Sequence, residues 1–479
     1  MKEVKFAIVI LLSVSFFNTG CITAKSVDRT DATKRLPVSY NENVDSINSA
    51  TTQWKEFFKD EYLVSLIDTA LVNNLDLKMA LQRMQYASSD VLIAKSALKP
   101  TVNGTVSGAL RKYGLYTMDG AGNATTEITP GKIVPEHLPD YFIGLQTSWE
   151  IDVWGKLKNR KKAAISRLLS TAEGRNMIIT NLIGNIALSY YELIALDQTL
   201  KTINETISLQ ENALDIIRVQ KEAAVTNELA VQQFEAELLS LKALALETKQ
   251  RSALVENEIN YFLGRYPQVI KRESLAFVSA MPFSLQPGIP SALLQNRPDI
   301  RQAELELMAS KADVAAAKAA FYPSLSINGS VGYQAFKAGM LFTSPESIAY
   351  GIVGSLVAPL VNRAAIKAEF NKANAKQLEA LFFYQQVIAN GYKEVYNEIV
   401  QMKSLDEIFK LKAEETNILV SAVETSNELF KRGRATYLEV LLTQQNTLQS
   451  RLELINTRRN QFYTSVNMYK ALGGGWRGN

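Results

Sequence analysis

Cys21 is the only cysteine in the 479-residue chain, and His137 is the only histidine. A single cysteine excludes an intramolecular disulfide, and the two residues together exclude zinc sites of the Cys/His finger type. Histidine catalysis would have to rest on His137, which lies in a segment rich in glycine and proline. The 52 basic residues nearly balance the 48 acidic ones, so the charge gives no case for nucleic-acid binding. We therefore predict no enzyme, no metal site, no cofactor and no nucleic-acid partner.

The position of Cys21 indicates attachment of lipid. Residues 1–20 combine two lysines with an apolar run from Phe6 to Phe17, as signal peptides do. A run of about twelve residues is too short to cross a hydrocarbon core of ~30 Å as a helix. The sequence Asn18-Thr19-Gly20-Cys21 resembles a bacterial lipobox, although Asn18 stands where leucine is usual. We predict that residues 1–20 are a signal peptide and that Cys21 is acylated. An ordinary secreted protein with an unpaired cysteine is the alternative.

The placement of proline predicts very long helices. No proline occurs from Asp140 to Tyr266 or from Leu360 to Asn479, and proline breaks helices. The helices expected in these tracts run from Gly155 to about Ala224, Asn227 to Leu263, Arg363 to Phe430, and Tyr437 to Leu472. At 1.5 Å per residue, the longer ones extend ~100 Å and the shorter ones ~50 Å. A seam of apolar residues at alternating four- and three-residue steps from Ile165 to Leu200 predicts coiled-coil packing.

The two proline-free tracts are copies of each other. Positions 169 to 200 of the seam recur 209 residues later, including the polar exceptions: Asn176 and Asp197 correspond to Gln385 and Asp406. Upstream the offset is 223, because Asp76-Leu77-Lys78 corresponds to Asp299-Ile300-Arg301. The first copy therefore contains an insertion, which we assign to the loop from Arg111 to Asp140. Self-similarity at this period predicts two structural copies.

Each copy also contains two short segments in which apolar and polar residues alternate. These run from Thr101 to Leu110, Tyr141 to Ile151, Ser324 to Tyr333, and, more weakly, Tyr350 to Ala358. Alternation over about ten residues is typical of transmembrane β-strands. Four strands cannot close a barrel, and lipid does not tolerate an open sheet edge. If the strands enter a membrane, several chains must therefore share one barrel. Two soluble hairpins that cap the coiled coil are the alternative.

These features resemble the TolC-like outer-membrane efflux ducts, and closely the lipoprotein (OprM-like) branch that serves RND-type multidrug and metal pumps. The resemblance covers almost the whole mature chain and is carried by Trp54–Asp60, Asn73–Leu77, Asp152–Lys156, Asn296–Glu304, Ala319–Leu325 and Gly433–Val440. It implies a fold that is mainly α with a membrane β-barrel. Duplicated long antiparallel coiled-coil helices would form an α-barrel. Four strands per chain would join a twelve-stranded barrel shared by a homotrimer.

The resemblance also implies how the chain is divided. The expected parts are the signal peptide (1–20), a lipid-anchored segment with an equatorial part (21–59), a first repeat (60–265), an equatorial linker (266–290), a second repeat (291–472) and a C-terminal tail (473–479). The three glycines that open the tail predict that it is flexible. The implied location is the outer membrane of a Gram-negative bacterium, with a lipid anchor and an extension into the periplasm.

The two turns between long helices are the sites that the resemblance implies. The family closes its periplasmic aperture at the turn of the inner helix pair, which here spans residues 430–439. Glu439 would form an acidic ring there, with Arg432, Gly433 and Arg434 at the same narrow end. A solvated helix charge is the other interpretation of Glu439, and Leu442 replaces a second acid found in relatives. The residues expected to bind the adaptor are Val225, Thr226, Leu229, Ala435 and Thr436.

The function implied is a passive exit duct. Small molecules, either drugs or metal ions, would arrive from an inner-membrane RND-type pump through a periplasmic adaptor and leave to the exterior. The other partners implied are two further copies of the chain and outer-membrane lipid. Two alternatives remain: a type I protein-secretion channel, against which the lipoprotein signal argues, and a periplasmic coiled-coil adaptor or structural protein without a pore.

Overall fold

The computed structural model describes residues 36–40, 49–273, 277, 286–361 and 363–477. The predicted signal peptide and Cys21 lie outside the described residues. Most of the segment between 274 and 285, in the predicted equatorial linker, lies outside them as well.

Helices form most of the described structure. The first copy contains α1 (Trp54–Phe57), α2 (Glu61–Asn73), α3 (Leu75–Ser96), α4 (Met118–Thr125), α5 (Lys156–Glu222) and α6 (Glu228–Phe262). The second copy contains α7 (Leu293–Asn296), α8 (Pro298–Ala319), α9 (Ala364–Lys431) and α10 (Tyr437–Ala471). The long pairs have 67 and 35 residues in the first copy and 68 and 35 in the second. They confirm the predicted helices to within one or two residues at each end.

The strands are β1 (Thr101–Arg111), β2 (Glu127–Thr129), β3 (Lys132–Ile133), β4 (Leu138–Ile151), β5 (Ser324–Ala335) and β6 (Ile348–Val357). Four of them form an antiparallel sheet in the order β1-β4-β5-β6, while β2 and β3 form a separate hairpin. The two copies meet in the middle of the sheet, where Gly144 lies opposite Gly332. A Cβ at Gly144 would lie 2.4 Å from the carbonyl oxygen of Val331, so this close approach requires glycine. In one chain, β1 and β6 are left as sheet edges.

The long helices form two hairpins, α5–α6 and α9–α10, joined by contacts of α10 with α5. The main core lies midway along them, where α1 and α2 pack on α5 and α10. Trp54, Phe58, Tyr190 and Tyr469 are almost completely buried there. The predicted seam is buried from Ile179 to Leu193, whereas Ile165 and Leu169, nearer the sheet, are exposed in the single chain.

Among the described helices, α5 alone contains an 18-residue window apolar enough to cross a membrane. Of that window, 72% is buried inside the protein. Such burial is typical of a core helix, so the apolar window is weak evidence for a transmembrane helix.

A repeated contact confirms the duplication. The side-chain amide of Asn74 donates to the carbonyl oxygen of Phe262 at 2.9 Å, and the guanidinium of Arg297 donates to that of Ala471 at 2.8 Å. The two donors are 223 residues apart and the two acceptors 209, which are the two offsets found in the sequence. Each copy therefore ties the start of its 22-residue helix, α3 or α8, to the end of its last long helix, α6 or α10.

The inserted segment of the first copy has its own structure. β1 pairs with β4 as far as Arg111 opposite Leu138, and the residues between them contain α4 and the β2–β3 hairpin. The side chain of Thr117 caps α4 by accepting from the N–H of Gly120 at 3.1 Å. The predicted loop is therefore an ordered helix and hairpin carried on the end of the sheet.

The expectation of a flexible C-terminal tail is wrong for the described residues 473–477. Gly473 to Gly475 are buried, and the indole of Trp476 donates to the carbonyl oxygen of Asn296 at 3.1 Å. A Cβ at Gly473 would lie 2.5 Å from that same oxygen, and Gly473 has a φ of +87°. The glycines therefore permit close backbone packing, and the tail fastens the end of α10 to α7.

Candidate functional site

The turn between α9 and α10 reverses the chain within five residues. The N–H of Gly433 donates to the carbonyl oxygen of Phe430 at 2.9 Å, and the N–H of Arg434 donates to that of Leu429 at 2.8 Å. Gly433 has a φ of +67°, which disfavours a residue with a Cβ. This Schellman-type ending fixes the direction of the residues that follow it.

Glu439 belongs to a capping box at the start of α10. Its carboxylate accepts from the N–H of Thr436 at 2.6 Å and from the Thr436 hydroxyl at 2.9 Å. The N–H of Glu439 donates back to that hydroxyl at 3.3 Å. Hydrogen bonds to the ionised form, first from the backbone of Thr436 and then from its side chain, lower the pKa of Glu439. Glu439 is therefore an exposed, charged carboxylate whose orientation is set within its own chain.

Neither arginine of this turn forms an ion pair with Glu439 in the described structure. Arg432 is 73% exposed, and its guanidinium lies 3.9 Å from the carboxylate of Glu428, which also pairs with Lys431 at 3.0 Å. Arg434 is exposed and forms no ion pair within the described part of the chain. The structure thus brings Arg432, Gly433, Arg434 and Glu439 to one helix tip, with the basic groups directed to solvent.

The turn between α5 and α6 has the same backbone path. Ala224, with a φ of +56°, takes the place of Gly433, and Asn227 takes the place of Thr436 as the helix cap. Val225 is 72% exposed and Leu229 is 53% exposed. The remaining predicted docking residues lie beside them: Thr226, half-buried, in this turn, and Ala435, half-buried, with Thr436, exposed, in the other.

The two tips pack together as one unit. Leu441 of α10 joins a buried cluster with Leu214, Ile217 and Phe234 of the first hairpin. Phe430 and Tyr437, on either side of the second turn, pack against the same cluster. The five predicted docking residues therefore lie on the exposed end of a continuous, packed surface.

Sequence reasoning missed an arginine that clamps the first hairpin. The guanidinium of Arg272 donates to both carboxylate oxygens of Asp197 on α5, at 2.6 and 2.7 Å, and to Glu256 on α6 at 2.5 Å. Asp197 was visible as a polar exception in the apolar seam, but its partner is 75 residues away. Its counterpart Asp406 accepts instead from the amide of Gln461 at 2.7 Å. An arginine from the linker therefore holds the first hairpin, while the equivalent aspartate of the second is hydrogen-bonded to a glutamine and has the charge of Arg458 nearby.

A second missed group is Glu192, which joins the two hairpins. This buried carboxylate pairs with Arg251 of α6 at 2.5 Å and with Arg459 of α10 at 3.2 Å. It also accepts from the hydroxyl of Tyr463 at 2.8 Å. Removing one partner of such a buried pair leaves an uncompensated charge, so the contact fixes how α10 lies against α5 and α6. A lone acid within an apolar helical run is its only signal in the sequence.

A polar cavity of about 350 Å³ lies where α8, α9 and α10 meet α5. Arg297 lies in its wall and pairs with Asp299 and Glu394, each at 2.7 Å. Glu398 also lines it, with one carboxylate oxygen that is buried and has no hydrogen-bond partner among the described residues. Desolvation, and then the nearby charge of Glu394, raise the pKa of Glu398 to about 7. The cavity therefore contains a carboxyl group that titrates near neutral pH.

No group of three or more His, Cys, Asp or Glu side chains in the described ranges is arranged to hold a metal ion. The geometry consists of helix ends, interhelical ion pairs and an open-edged sheet. Such an arrangement can hold exposed helix ends in place for contact with other proteins, and its helices and strands can form the wall of a passage.

Comparison with known proteins agrees with this geometry. A family model for outer membrane efflux proteins matches residues 66–265 and 289–474. The cation efflux system protein CusC of Escherichia coli O6:H1 is 26% identical over 462 residues, which cover 96% of each chain. The probable outer membrane lipoprotein SilC of Salmonella typhimurium is 27% identical, covering 97% of this chain and 98% of SilC. The toluene efflux pump outer membrane protein TtgI of Pseudomonas putida is 28% identical, covering 90% and 89%.

Solved structures share the fold. The crystal structure of CusC superimposes with a TM-score of 0.81 at 25% identity, over 92% of this chain and 97% of CusC. The open MtrE channel of Neisseria gonorrhoeae, at 21% identity, gives 0.80 over 95% and 96% and shows the same fold. Two of these relatives are named as outer-membrane proteins, SilC and TtgI, and two as channels in their structural descriptions, CusC and MtrE. The chain belongs to the outer membrane efflux protein family and is an outer-membrane efflux channel.

Proposed function

We propose that three copies of this chain form one continuous passive duct. Their four-stranded sheets close into a shared twelve-stranded barrel, and their helical hairpins surround a periplasmic tunnel. The observation that carries the proposal is the sheet with two edges, β1 and β6, in a protein of the outer membrane. Because lipid offers no partner to backbone N–H and C=O groups, β6 of one chain must pair with β1 of the next.

The sheet surface supports this insertion. Val106 of β1 is 79% exposed, and Tyr350 and Ile352 of β6 are 84% and 81% exposed. Apolar side chains at such exposure fit a lipid-facing surface or an interface between chains. The alternation along each strand leaves polar residues for the opposite face.

The exposed end formed by the two helical turns is the proposed docking surface for a periplasmic adaptor. Val225 and Leu229 supply apolar contact there, while Thr226, Ala435 and Thr436 supply small polar and apolar groups. Through this adaptor the duct receives its cargo from an inner-membrane RND-type pump, so no chemical step falls to this chain. The names of similar relatives include both cation and toluene efflux. We therefore propose small solutes, ionic or apolar, as the cargo class.

The second turn is the proposed periplasmic aperture. Three-fold symmetry would bring Arg432, Gly433, Arg434 and Glu439 to the axis in triplicate. Arg434 is available to the carboxylate of a neighbouring copy, because it forms no ion pair within the described part of its own chain. Charge-assisted hydrogen bonds of this kind contribute roughly 1–3 kcal/mol before solvent screening.

Two measurements test the duct. Light scattering in detergent, with the detergent contribution subtracted, should give the mass of three chains. Planar bilayers should show single-channel conductance. A monodisperse monomer that still inserts would contradict the shared barrel, and a trimer without conductance would contradict the continuous passage.

Lipid attachment at Cys21 is proposed on the sequence and on the similarity to a relative named as a lipoprotein. Cys21→Ser should abolish incorporation of labelled fatty acid. The variant should remain a trimer, because the proposed trimer contacts lie in the sheet and helices. Continued acylation of the variant would contradict the assignment.

A further inference from the structure

A group of lysines lies at the four junctions between the helices and the sheet. The adjoining segments are 95–99, 152–163, 318–323 and 363–368, and Asp152 is their only acidic residue. Their exposed lysines form no ion pair within the described part of the chain, and we call them the lysine collar: Lys95, Lys99, Lys158, Lys162, Lys318 and Lys367. The collar is therefore a group of positive charges at one end of the sheet that the described structure does not neutralise.

Lys95 and Lys318 lie in the last turns of α3 and α8, where a positive charge stabilises the helix, but helix stability does not explain the collar lysines of α5 and α9. Neither α5 nor α9 has an acidic residue in its first turn, where positive side chains oppose the helix dipole. The carboxylate of Asp152 is occupied by the N–H groups of Leu157 and Lys158, at 2.9 and 2.8 Å. Glu150, the nearest acid in the sheet, pairs with Lys156 at 2.6 Å. The positive charge is therefore left for an anion outside the chain.

The strands set the depth of the collar. β1, with 11 residues, covers about 28 Å along the membrane normal at a tilt of ~40°, close to the ~25 Å apolar band of a membrane barrel. At the helix end of the sheet, Trp154 stacks on Tyr322 with ring centroids 4.8 Å apart, as aromatic side chains do at a membrane interface. Lys158 and Lys162 lie ~3 and ~9 Å beyond the first residue of α5, and their long side chains can reach a headgroup layer of roughly 5–8 Å.

The two lysines of α5 share one face. They are four residues apart, so their ammonium groups project side by side. Arg160 and Arg167 lie on the other side of the helix and line the cleft between α5, α8 and α9. Lys158 and Lys162 are thus separate from the charged cleft between the helices.

We propose that the lysine collar binds the phosphate groups of anionic phospholipids in the membrane leaflet at the helical end of the sheet. This proposal rests on insertion of the sheet into the outer membrane. A phospholipid fits because its phosphate lies at the depth of the lysines while its acyl chains lie against the strands. Zwitterionic headgroups carry a compensating cation and fit less well.

The test uses the full trimer in phosphatidylcholine vesicles that contain an equal fraction of one brominated lipid, either phosphatidylglycerol or phosphatidylcholine. Bromine quenches the fluorescence of Trp149, within β4, and of Trp154, just beyond the end of β4, so the ratio of the two quenching curves measures lipid preference. A Trp154→Phe variant identifies the part that arises next to the collar.

The parent protein should prefer phosphatidylglycerol. Each lysine near an anionic surface is worth about fivefold in binding, so Lys158→Gln/Lys162→Gln should reduce the preference by up to ~25-fold. The matched control is Lys201→Gln/Lys249→Gln, which removes two exposed lysines far from the sheet and should leave the preference unchanged. Ionic strength of about 1 M should weaken the preference of the parent.

Equal quenching by both lipids in the parent would overturn the proposal, and so would an unchanged preference in the collar variant. Equal quenching in the parent would instead indicate that the collar binds an anionic surface of a protein partner. Conductance of the same preparation tests the duct separately. A conducting trimer without lipid preference would overturn the collar alone, whereas a preparation that does not insert would contradict the duct as well.

Discussion

Ala224 and Gly433 occupy the same position in the two helical turns and have φ values of +56° and +67°. The same backbone hydrogen bond occurs in both turns. The N–H of Val225 donates to the carbonyl oxygen of Gln220, and the N–H of Arg434 donates to the carbonyl oxygen of Leu429, both at 2.8 Å. The first turn therefore holds an alanine in the left-handed conformation that the second turn gives to glycine. The backbone path of the turn is imposed by the two helices and not by the residue at its bend.

This relationship predicts opposite effects of two substitutions. The left-handed conformation costs an L-residue roughly 1–2 kcal/mol, and replacement by glycine removes this cost. Glycine also increases the conformational entropy of the unfolded chain, which offsets part of the stabilisation. Ala224→Gly should therefore stabilise the first turn by about 0.5–1 kcal/mol, and Gly433→Ala should destabilise the second by a similar amount. Hydrogen exchange of the turn amides, followed by mass spectrometry, should slow in the first variant and accelerate in the second. The same direction of change in both would contradict the equivalence.

Substitutions of Glu439 should separate its capping of α10 from its proposed part in the aperture. Glu439→Gln retains a capping-box partner but removes the charge, whereas Glu439→Ala removes both. If the carboxylate lines the aperture, both variants should weaken cation preference in planar bilayers, and only Glu439→Ala should also accelerate hydrogen exchange at the start of α10. Glu235→Gln, in the first hairpin and 3.7 Å from Arg218, is the matched control and should leave selectivity unchanged. Unchanged selectivity in Glu439→Gln would show that the residue is a helix cap only.

The capping box also predicts a pH dependence. Because the folded-state pKa of Glu439 is lowered, its contribution to stability is fully present above the unfolded pKa of about 4.3. It is lost as the pH falls through the lower folded value. Hydrogen exchange at the start of α10, corrected for the intrinsic rate, should therefore be unaffected between pH 7 and 5 and accelerate only below about pH 4. Loss of protection near pH 6 would assign the effect to another group.

The clamp of Arg272 predicts a change confined to the first hairpin. Arg272→Gln leaves Asp197 and Glu256 together without their cation, at a cost of roughly 1–3 kcal/mol because both carboxylates are partly exposed. Hydrogen exchange should accelerate in α5 and α6 around these residues and remain unchanged in α9 around Asp406. Arg272→Lys should rescue only part of the effect, because lysine cannot reproduce the bidentate contact of the guanidinium with Asp197. Equal acceleration in both hairpins would contradict the clamp.

Glu398 predicts a pH-dependent stability of the opposite sign. Its folded-state pKa of about 7 lies above the unfolded value, so the folded protein binds the additional proton between about pH 4.5 and 7. Stability from this group therefore falls as the pH rises through that window and is constant above it. Glu398→Gln should be more stable than the parent at pH 8, by about 1–2 kcal/mol, and similar at pH 4.5. Melting temperatures in detergent measure this, and Glu407→Gln, on an exposed part of α9, should show no such trend.

The sequence predicted the elements that depend on local chemistry. The proline-free tracts predicted the ends of the long helices, and the alternation of apolar and polar residues predicted the four strands. Both patterns depend only on residues that are neighbours in the sequence. The capping box of Glu439 was also readable, as Thr436 followed by Glu439, but the family resemblance directed attention to its charge. The contacts of Glu192 and Arg272 could not be predicted, since their partners lie on other helices at distances that no local pattern encodes. Gly473 was misjudged because glycines serve both flexible tails and close backbone contacts, and only the position of Asn296 decides between them.

The strand pairing at the centre of the sheet has an evolutionary consequence. A half-length ancestor with one strand pair and one helical hairpin could build the same duct from six identical chains. Six chains with two strands each supply as many strands as three chains with four strands each. In that assembly, the contact now made by β4 with β5 would have been a contact between subunits, equivalent to the one proposed here for β6 with β1. Fusion of two such genes would have made that contact permanent and allowed the two halves to differ in sequence. The insertion at the sheet and the Arg272 clamp, each present in one half only, are the divergence that such a fusion permits.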